Sequence, residues 1–152
     1  MSRIRSFYRD VKVVRLKAPE DALNAATVYP ATTYVDVSNY KYVDVLVNHG
    51  ALTGTITWSL MENTASTGGT LDVIDATYAK ATVSTANADK CAMFHLDTEH
   101  LANNHNYIAI KQTGGGAADY ADVLFLLHGA KTTPVTNATA TFPTAMVKTL
   151  AG

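Results

Sequence analysis

Cysteine and long apolar runs are the scarcest features of this chain of 152 residues. Its single cysteine, Cys91, excludes an internal disulfide. Because Cys91 falls in a predicted strand, we expect a buried and unreactive thiol. No apolar run approaches the roughly 18 residues that a membrane helix needs, and no apolar segment follows the first charges as it would in a secretory signal. These absences predict synthesis in a reducing cytoplasm.

Charge is also scarce, because only 16% of the residues are Asp, Glu, Lys or Arg, against about a quarter in most domains. Thr and Ala together supply 44 residues. A surface with so little charge suits a protein that is covered by neighbouring subunits. A soluble β domain with a Thr-rich surface has the same composition, since Thr favours strands.

The charge that is present is unevenly placed along the chain. The first 17 residues hold six basic residues and one acid, a net +5, whereas the remainder holds six basic and twelve acidic residues, a net −6. Such a basic segment predicts contact with an acidic partner, either nucleic acid or an acidic protein shell. The basic residues expected to make this contact are Arg3, Arg5, Arg9, Lys12, Arg15 and Lys17.

Motifs for common catalytic chemistry are missing. The three glycines at positions 114–116 lack the Lys and Ser/Thr of a phosphate-binding loop, so we expect a flexible hairpin tip there. No Gly-x-Ser-x-Gly elbow is present. Asp72 with Asp75, and Asp119 with Asp122, are carboxylate pairs of the kind that glycosidases use, but acids are common at strand ends.

Histidines and acids are concentrated within eleven residues, namely His95, Asp97, Glu99, His100 and His105. Imidazole and carboxylate are zinc ligands, yet this spacing matches no established zinc pattern. The segment instead predicts a strand end followed by a solvated loop, with Asp97 or Thr98 capping a turn. We therefore expect no catalytic residues, no metal ligands and no cofactor, and predict that the protein is not an enzyme.

Alternating apolar and polar residues predict strands in the body of the chain. One face of each predicted strand is apolar, and these faces carry Val43, Val45 and Val47, then Ile56, Trp58 and Leu60, then Ala92, Phe94 and Leu96. The continuous apolar run at 123–127 predicts a strand covered on both faces. Pro19, with acids behind it, permits a short helical turn at residues 18–26. Residues 10–17 fit an edge strand, because Lys12 would discourage further pairing.

Seven to nine such strands predict an all-β, single-domain fold, either an antiparallel β-sandwich or a small barrel of the jelly-roll or tulip-like kind. The β domain is expected to span residues 10–130. Residues 1–9 are predicted to form a basic N-terminal arm, and residues 131–152 an extended, Thr/Ala-rich C-terminal arm. Apolar residues predicted to anchor that arm to a partner are Phe142, Met146, Val147 and Leu150.

One block of sequence carries a family resemblance. It begins Val35-Asp36-Val37-Ser38-Asn39-Tyr40 and, after a strand, continues Gly50-Ala51-Leu52-Thr53-Gly54-Thr55-Ile56-Thr57-Trp58-Ser59-Leu60-Met61-Glu62-Asn63. This pattern resembles the capsid decoration, or cement, proteins of tailed bacteriophages over residues 33–128. The resemblance implies a β domain, often trimeric, that binds the major capsid protein on the outside of the virion and bridges neighbouring capsomers. It also implies synthesis in a bacterial cytoplasm, and neither a membrane nor nucleic acid is expected as a direct partner.

Two alternatives stay open on the sequence. The chain can be another virion part, such as a head–tail connector, a tail component or a fibre head. It can also be a carbohydrate-binding β module, if Trp58 is an exposed stacking platform and not a core residue.

Overall fold

The computed structural model describes residues 10–20, 26–74, 79–116 and 119–132. These residues form ten strands and two single-turn 3₁₀ helices, at Thr85–Asn87 and Thr98–His100. The strands are β1 (Lys12–Glu20), β2 (Thr27–Tyr29), β3 (Val35–Asp36), β4 (Tyr42–His49), β5 (Ile56–Asn63), β6 (Asp72–Val73), β7 (Lys80–Val83), β8 (Cys91–Asp97), β9 (Tyr107–Gly114) and β10 (Ala121–His128). The all-β prediction is confirmed.

The strands form two antiparallel sheets. Sheet A has the order β1-β10-β4-β8. Sheet B has the order β2-β9-β5-β6, and in addition β3 pairs with β9 while β7 pairs with β5. A β-sandwich is therefore the form of the fold that the alternation predicted.

Among the described strands, β1 lies at one edge of sheet A and has β10 as its one partner, which confirms the predicted edge strand. It continues through Pro19 to Glu20, so the helical turn predicted at residues 18–26 is wrong for its first three residues. Proline is tolerated in an edge strand because its missing N–H need not serve a neighbour. The rest of that segment, apart from Ala26, lies outside the described residues.

The core lies between the inner faces of the two sheets. The predicted inward residues of β4 and β5 are at most 1% exposed, and they are Val43, Val45, Val47, Ile56, Trp58 and Leu60. Phe125 of β10 and Ile108 and Ile110 of β9 are fully buried in the same cluster. Trp58 is thus a core residue, as predicted, and is not available as a stacking platform.

Strand β10 corrects the interpretation of its apolar run. Burial alternates along the strand, with Val123, Phe125 and Leu127 fully buried and Leu124 and Leu126 only half-buried. The run therefore has one face in the core and one on the outside of sheet A. A continuous apolar run hides this alternation, because both faces are apolar.

Cys91 is exposed, so the prediction of a buried thiol is wrong. Phe94 and Leu96 point into the core from β8, and strand geometry then places Cys91, Met93 and His95 on the opposite, outer face. Strand β8 is also an edge of sheet A, with β4 as its neighbour. Because side chains alternate between the two faces of a strand, Cys91 has to lie on the face opposite to Phe94 and Leu96, and its thiol is therefore exposed.

The glycine loop at 114–116 is not a hairpin tip, because β9 belongs to sheet B and β10 to sheet A. Asp119, fully buried, holds this connection: one carboxylate oxygen accepts hydrogen bonds from the backbone N–H and, at 2.7 Å, the hydroxyl of Thr53, and the other accepts from Gly116 N–H at 2.8 Å. Burial acts to raise the pKa of Asp119, but the hydrogen bonds from Thr53, Gly116 and Gly54 outweigh it and hold the pKa below the ordinary 3.8. The Asp119 carboxylate therefore connects the loop that contains Thr53 to the loop that contains Gly116.

Candidate interaction surface

The outer face of sheet A carries a row of apolar side chains that crosses three strands. Leu124 of β10 lies opposite Leu46 of β4, and Leu46 lies opposite Met93 of β8. Directly opposed residues of antiparallel strands share a face, so the three side chains stand together. We call Leu46, Met93 and Leu124 the outer row. Met93 is 66% exposed, more than any other large apolar side chain that the structure describes.

The residues beside the outer row continue it on one flank. Leu126, half-buried, follows Leu124 on the same face of β10. Val13 of β1 lies opposite Leu126 and is only 6% exposed. Arg15 of β1 lies opposite Leu124 and is exposed. The outer face of sheet A thus combines a central apolar band with a cation at its β1 edge.

One side of the outer row is bordered by small polar groups. Asn48 lies opposite Asp122 on one side and Cys91 on the other, and its amide donates to the Asp122 carboxylate at 3.4 Å. Asp122 is half-buried here, whereas Asp119 is buried in the loop connection. The two carboxylates that the sequence offered as a glycosidase pair therefore have separate structural surroundings.

The other side of the outer row is bordered by Asp44 and His95, and His128 lies beside Asp44. Asp44 Oδ1 lies 2.6 Å from His95 Nδ1, and Asp44 Oδ2 lies 3.0 Å from His128 Nε2. Tyr42 contacts both imidazoles, with ring centroids 5.6 Å from His95 and 5.3 Å from His128. We call Asp44, His95 and His128 the histidine cluster.

The structure separates the histidines that the sequence grouped. His95 turns to Asp44, whereas His100 lies exposed in the second 3₁₀ helix. His105 Nδ1 approaches the buried Glu62 carboxylate at 3.4 Å on the other side of the molecule's core. The predicted turn cap is confirmed, since the Asp97 side chain accepts from the N–H of Glu99. Sequence distance hid the histidine cluster, because its members come from three different strands.

The predicted partner-contact residues are only partly within the described chain. Lys12 is half-buried and Arg15 exposed on β1, and the backbone of Lys17 pairs with Val123. The others, Arg3, Arg5, Arg9, Phe142, Met146, Val147 and Leu150, lie outside the described residues. At the start of the predicted C-terminal arm, Lys131 N–H donates to Asn39 O at 2.9 Å, and Asn39 donates to the Thr132 hydroxyl at 2.9 Å.

A concave region lies at the opening between the sheets. It is a groove of about 650 Å³ whose apolar lining includes Leu60, Ile74 and Leu96, with Asp97 and His100 among its polar groups. Leu60 and Leu96 also belong to the hydrophobic core. The groove is therefore an extension of the core toward one edge of the sandwich. Among the residues described, no helix is long and apolar enough to span a bilayer.

No protein-family model matches the chain, and no curated protein matches it. Its fold is similar to a solved structure of Bacillus endospore appendages, disulfide-linked pili, with 10% identity and a TM-score of 0.49 over 81% of this chain and 90% of the other. It is also similar to the Tobacco streak virus coat protein, with 11% identity and a TM-score of 0.38 over 81% and 89% of the two chains. Such distant likenesses assign no family, so function has to follow from this chain's own residues.

Proposed function

We propose that this protein is a structural component of a virion that binds the outer surface of a tailed-phage capsid and bridges neighbouring capsomers. The observation that carries the proposal is the outer row, because Leu46, Leu124 and the 66% exposed Met93 form an apolar band on the outer face of sheet A. Exposed apolar bands rimmed by polar groups are typical of protein-binding surfaces. That the surface belongs to a virion protein and binds a capsid is inferred from the sequence resemblance over residues 33–128.

The chemistry of the surface suits a partner made of protein. Methionine adapts its shape to a facing surface at little cost, which makes it common at binding sites. Arg15 at the β1 edge adds a cation beside the apolar band. An acidic, partly apolar patch on the major capsid protein would complement both features, with the charge guiding association and the apolar contact slowing release.

Repetition of one contact over a shell explains how a small domain can stabilise a large particle. Linked binding sites raise the overall affinity by factors of roughly 10²–10⁴ when their geometry allows simultaneous contact. A homo-oligomer, which we propose to be a trimer, would contact several capsomers at once. Each individual contact can then be modest in area.

We also propose that the protein is not an enzyme. Two buried polar side chains among the described residues have structural partners: Asp119 joins two loops, and His49 accepts a hydrogen bond from Trp58. Trp58 is 0% exposed and cannot stack on a sugar ring, so the observation that favoured a carbohydrate-binding module no longer supports it. Another virion part, such as a connector, tail or fibre component, is the remaining alternative, since it would use the same kind of surface.

Particles assembled without the protein provide the test. Purified chain is added back, occupancy is measured by sedimentation, and bound protein is located by electron microscopy. Met93→Asp should reduce occupancy several-fold, whereas Val73→Asp is the matched control, because Val73 is also exposed, at 49%, but lies on β6 of sheet B. Density at one vertex or on the tail would favour the alternative. Equal loss in both variants would reject the outer row as the contact.

A further inference from the structure

We propose that the histidine cluster binds one divalent transition-metal ion of the zinc class. Asp44, His95 and His128 each offer one ligand atom, and these atoms all lie within 4.8 Å of one another. Two imidazoles and a carboxylate are a ligand set that suits Zn²⁺, Co²⁺, Ni²⁺ or Cu²⁺. This inference does not depend on the proposed virion role.

The distances allow an ion to enter with small side-chain movements. The carboxylate oxygens now lie 2.6 Å from His95 Nδ1 and 3.0 Å from His128 Nε2. Zinc bonds of about 2.0–2.2 Å in a tetrahedral arrangement separate neighbouring ligand atoms by about 3.3 Å. Whichever Asp44 oxygen coordinates the ion, its distance to the histidine nitrogen that it now contacts would open by less than about 1 Å.

The protein backbone holds the three ligands in place. They come from the adjacent strands β10, β4 and β8, and Asp44 stands directly opposite His95 in the ladder. Tyr42, opposite His128, lies against both imidazole rings. Ligands on neighbouring paired strands lose little freedom when an ion binds, which favours affinity.

Proton accounting is also favourable. The nitrogens facing Asp44 can act as ligands only when they carry no proton, so an ion at this place competes with the present hydrogen bonds. A neutral imidazole can move its remaining proton to the far nitrogen, and the side chains of His95 and His128 are 58% and 31% exposed. That far N–H can then donate to water, so binding to neutral histidines needs no net proton release.

Three protein ligands leave room for at least one further ligand on the ion. The Asp44 side chain is 25% exposed and both histidines reach solvent, so water can complete the coordination. Mg²⁺ and Ca²⁺ prefer oxygen ligands and should bind poorly to a set with two imidazole nitrogens. The selectivity between these two groups of ions is therefore part of the proposal.

The experiment uses the full chain without a histidine tag, treated with chelator and then dialysed. Calorimetric titration with Zn²⁺, above the ordinary histidine pKa of about 6.5, should show one ion per chain, and Mg²⁺ should give no saturable heat. His95→Ala and His128→Ala should each weaken Zn²⁺ binding by more than about tenfold. His100→Ala is the matched control, because His100 is exposed and outside the cluster.

Imidazole NMR resonances of the unmutated chain supply a second measurement that does not depend on variants. Zn²⁺ should shift His95 and His128, move the proton of each to the far nitrogen, and leave His100 unchanged. Absence of saturable Zn²⁺ binding would overturn the proposal and leave Asp44 as a hydrogen-bonded bridge between two histidines. Binding that survives both cluster variants, or is lost in His100→Ala, would overturn it as well.

Discussion

The indole N–H of Trp58 donates a hydrogen bond to Nε2 of His49 at 2.9 Å, with both side chains buried. This bond joins β5 of sheet B to the end of β4 in sheet A. Because indole can only donate, His49 Nε2 has to be unprotonated. The proton of the neutral imidazole then lies on Nδ1, which is 3.1 Å from the Lys90 carbonyl oxygen. The two bonds specify one tautomer of His49.

The first prediction is an acid sensitivity that comes from His49. Burial lowers the pKa of His49 below its ordinary 6.5, although the hydrogen bond to the Lys90 carbonyl acts in the opposite direction. Between the folded and unfolded pKa values the unfolded chain binds more protons, so stability rises with pH through that window. Stability should therefore fall as the pH drops below about 6.5. Urea unfolding at a series of pH values should show this slope in the wild type and a flatter one in His49→Gln; equal slopes would contradict it.

Removal of the core tryptophan is the second prediction. Trp58→Ala should lower the free energy of unfolding by about 3–5 kcal/mol, since Trp58 is fully buried. Trp58→Phe keeps most of the ring but leaves His49 Nε2 without its donor, which should cost about 1–3 kcal/mol. Chemical denaturation measures both. A Trp58→Ala protein as stable as the wild type would show that Trp58 is not in the core.

The third prediction concerns the Asp119 connection. Asp119→Ala removes the acceptor for Thr53 and Gly116 in a buried place, and should destabilise the fold by about 2–3 kcal/mol. Asp122→Ala is the control, because Asp122 is only half-buried and its bond to Asn48 is long, at 3.4 Å. Guanidinium unfolding should separate the two variants clearly. Similar midpoints would mean that the loop connection contributes little.

Reactivity of Cys91 is the fourth prediction. The thiol is exposed on the outer face of β8, so a maleimide reagent should label the folded chain at one site without denaturant. Mass spectrometry measures the extent of labelling, and Cys91→Ser should abolish it. Labelling that requires unfolding would restore the buried thiol that the sequence predicted. Because Cys91 lies two residues from Met93 on the same face, labelled protein should also bind particles less well if the outer row is the contact.

The fifth prediction tests the two predicted arms. Deletion of residues 1–9 and, separately, of 133–152 should leave the β domain folded and reduce attachment to particles. The second deletion spares Lys131 and Thr132, because both bond to Asn39. Added salt should weaken the contribution of the basic N-terminal segment and hardly affect that of the apolar C-terminal residues. Truncated chains with wild-type occupancy and salt dependence would exclude both arms from binding.

Local sequence pattern was enough to predict the strands of the central core. Val43 and Trp58 each stand in alternating runs, and alternation alone gives their direction. The same rule was hidden at Leu124 and Leu126, where the outward residues are apolar too. The outer row and the histidine cluster could not be predicted, because both depend on the register of β10, β4 and β8. Register between strands that are distant in sequence is set by packing of the whole sandwich, not by local residues.

The position of β10 has a consequence for the order in which the molecule forms. Strand β10, Ala121–His128, lies between β1 and β4, so within the described part of the chain β1 has no neighbour in sheet A until β10 is made. Such pairing between sequence-distant segments slows folding. On the ribosome, sheet A would remain incomplete until residue 128 has emerged. Chains released earlier would leave the edge of β4 that pairs with β10 without its partner, and unpaired strand edges promote aggregation.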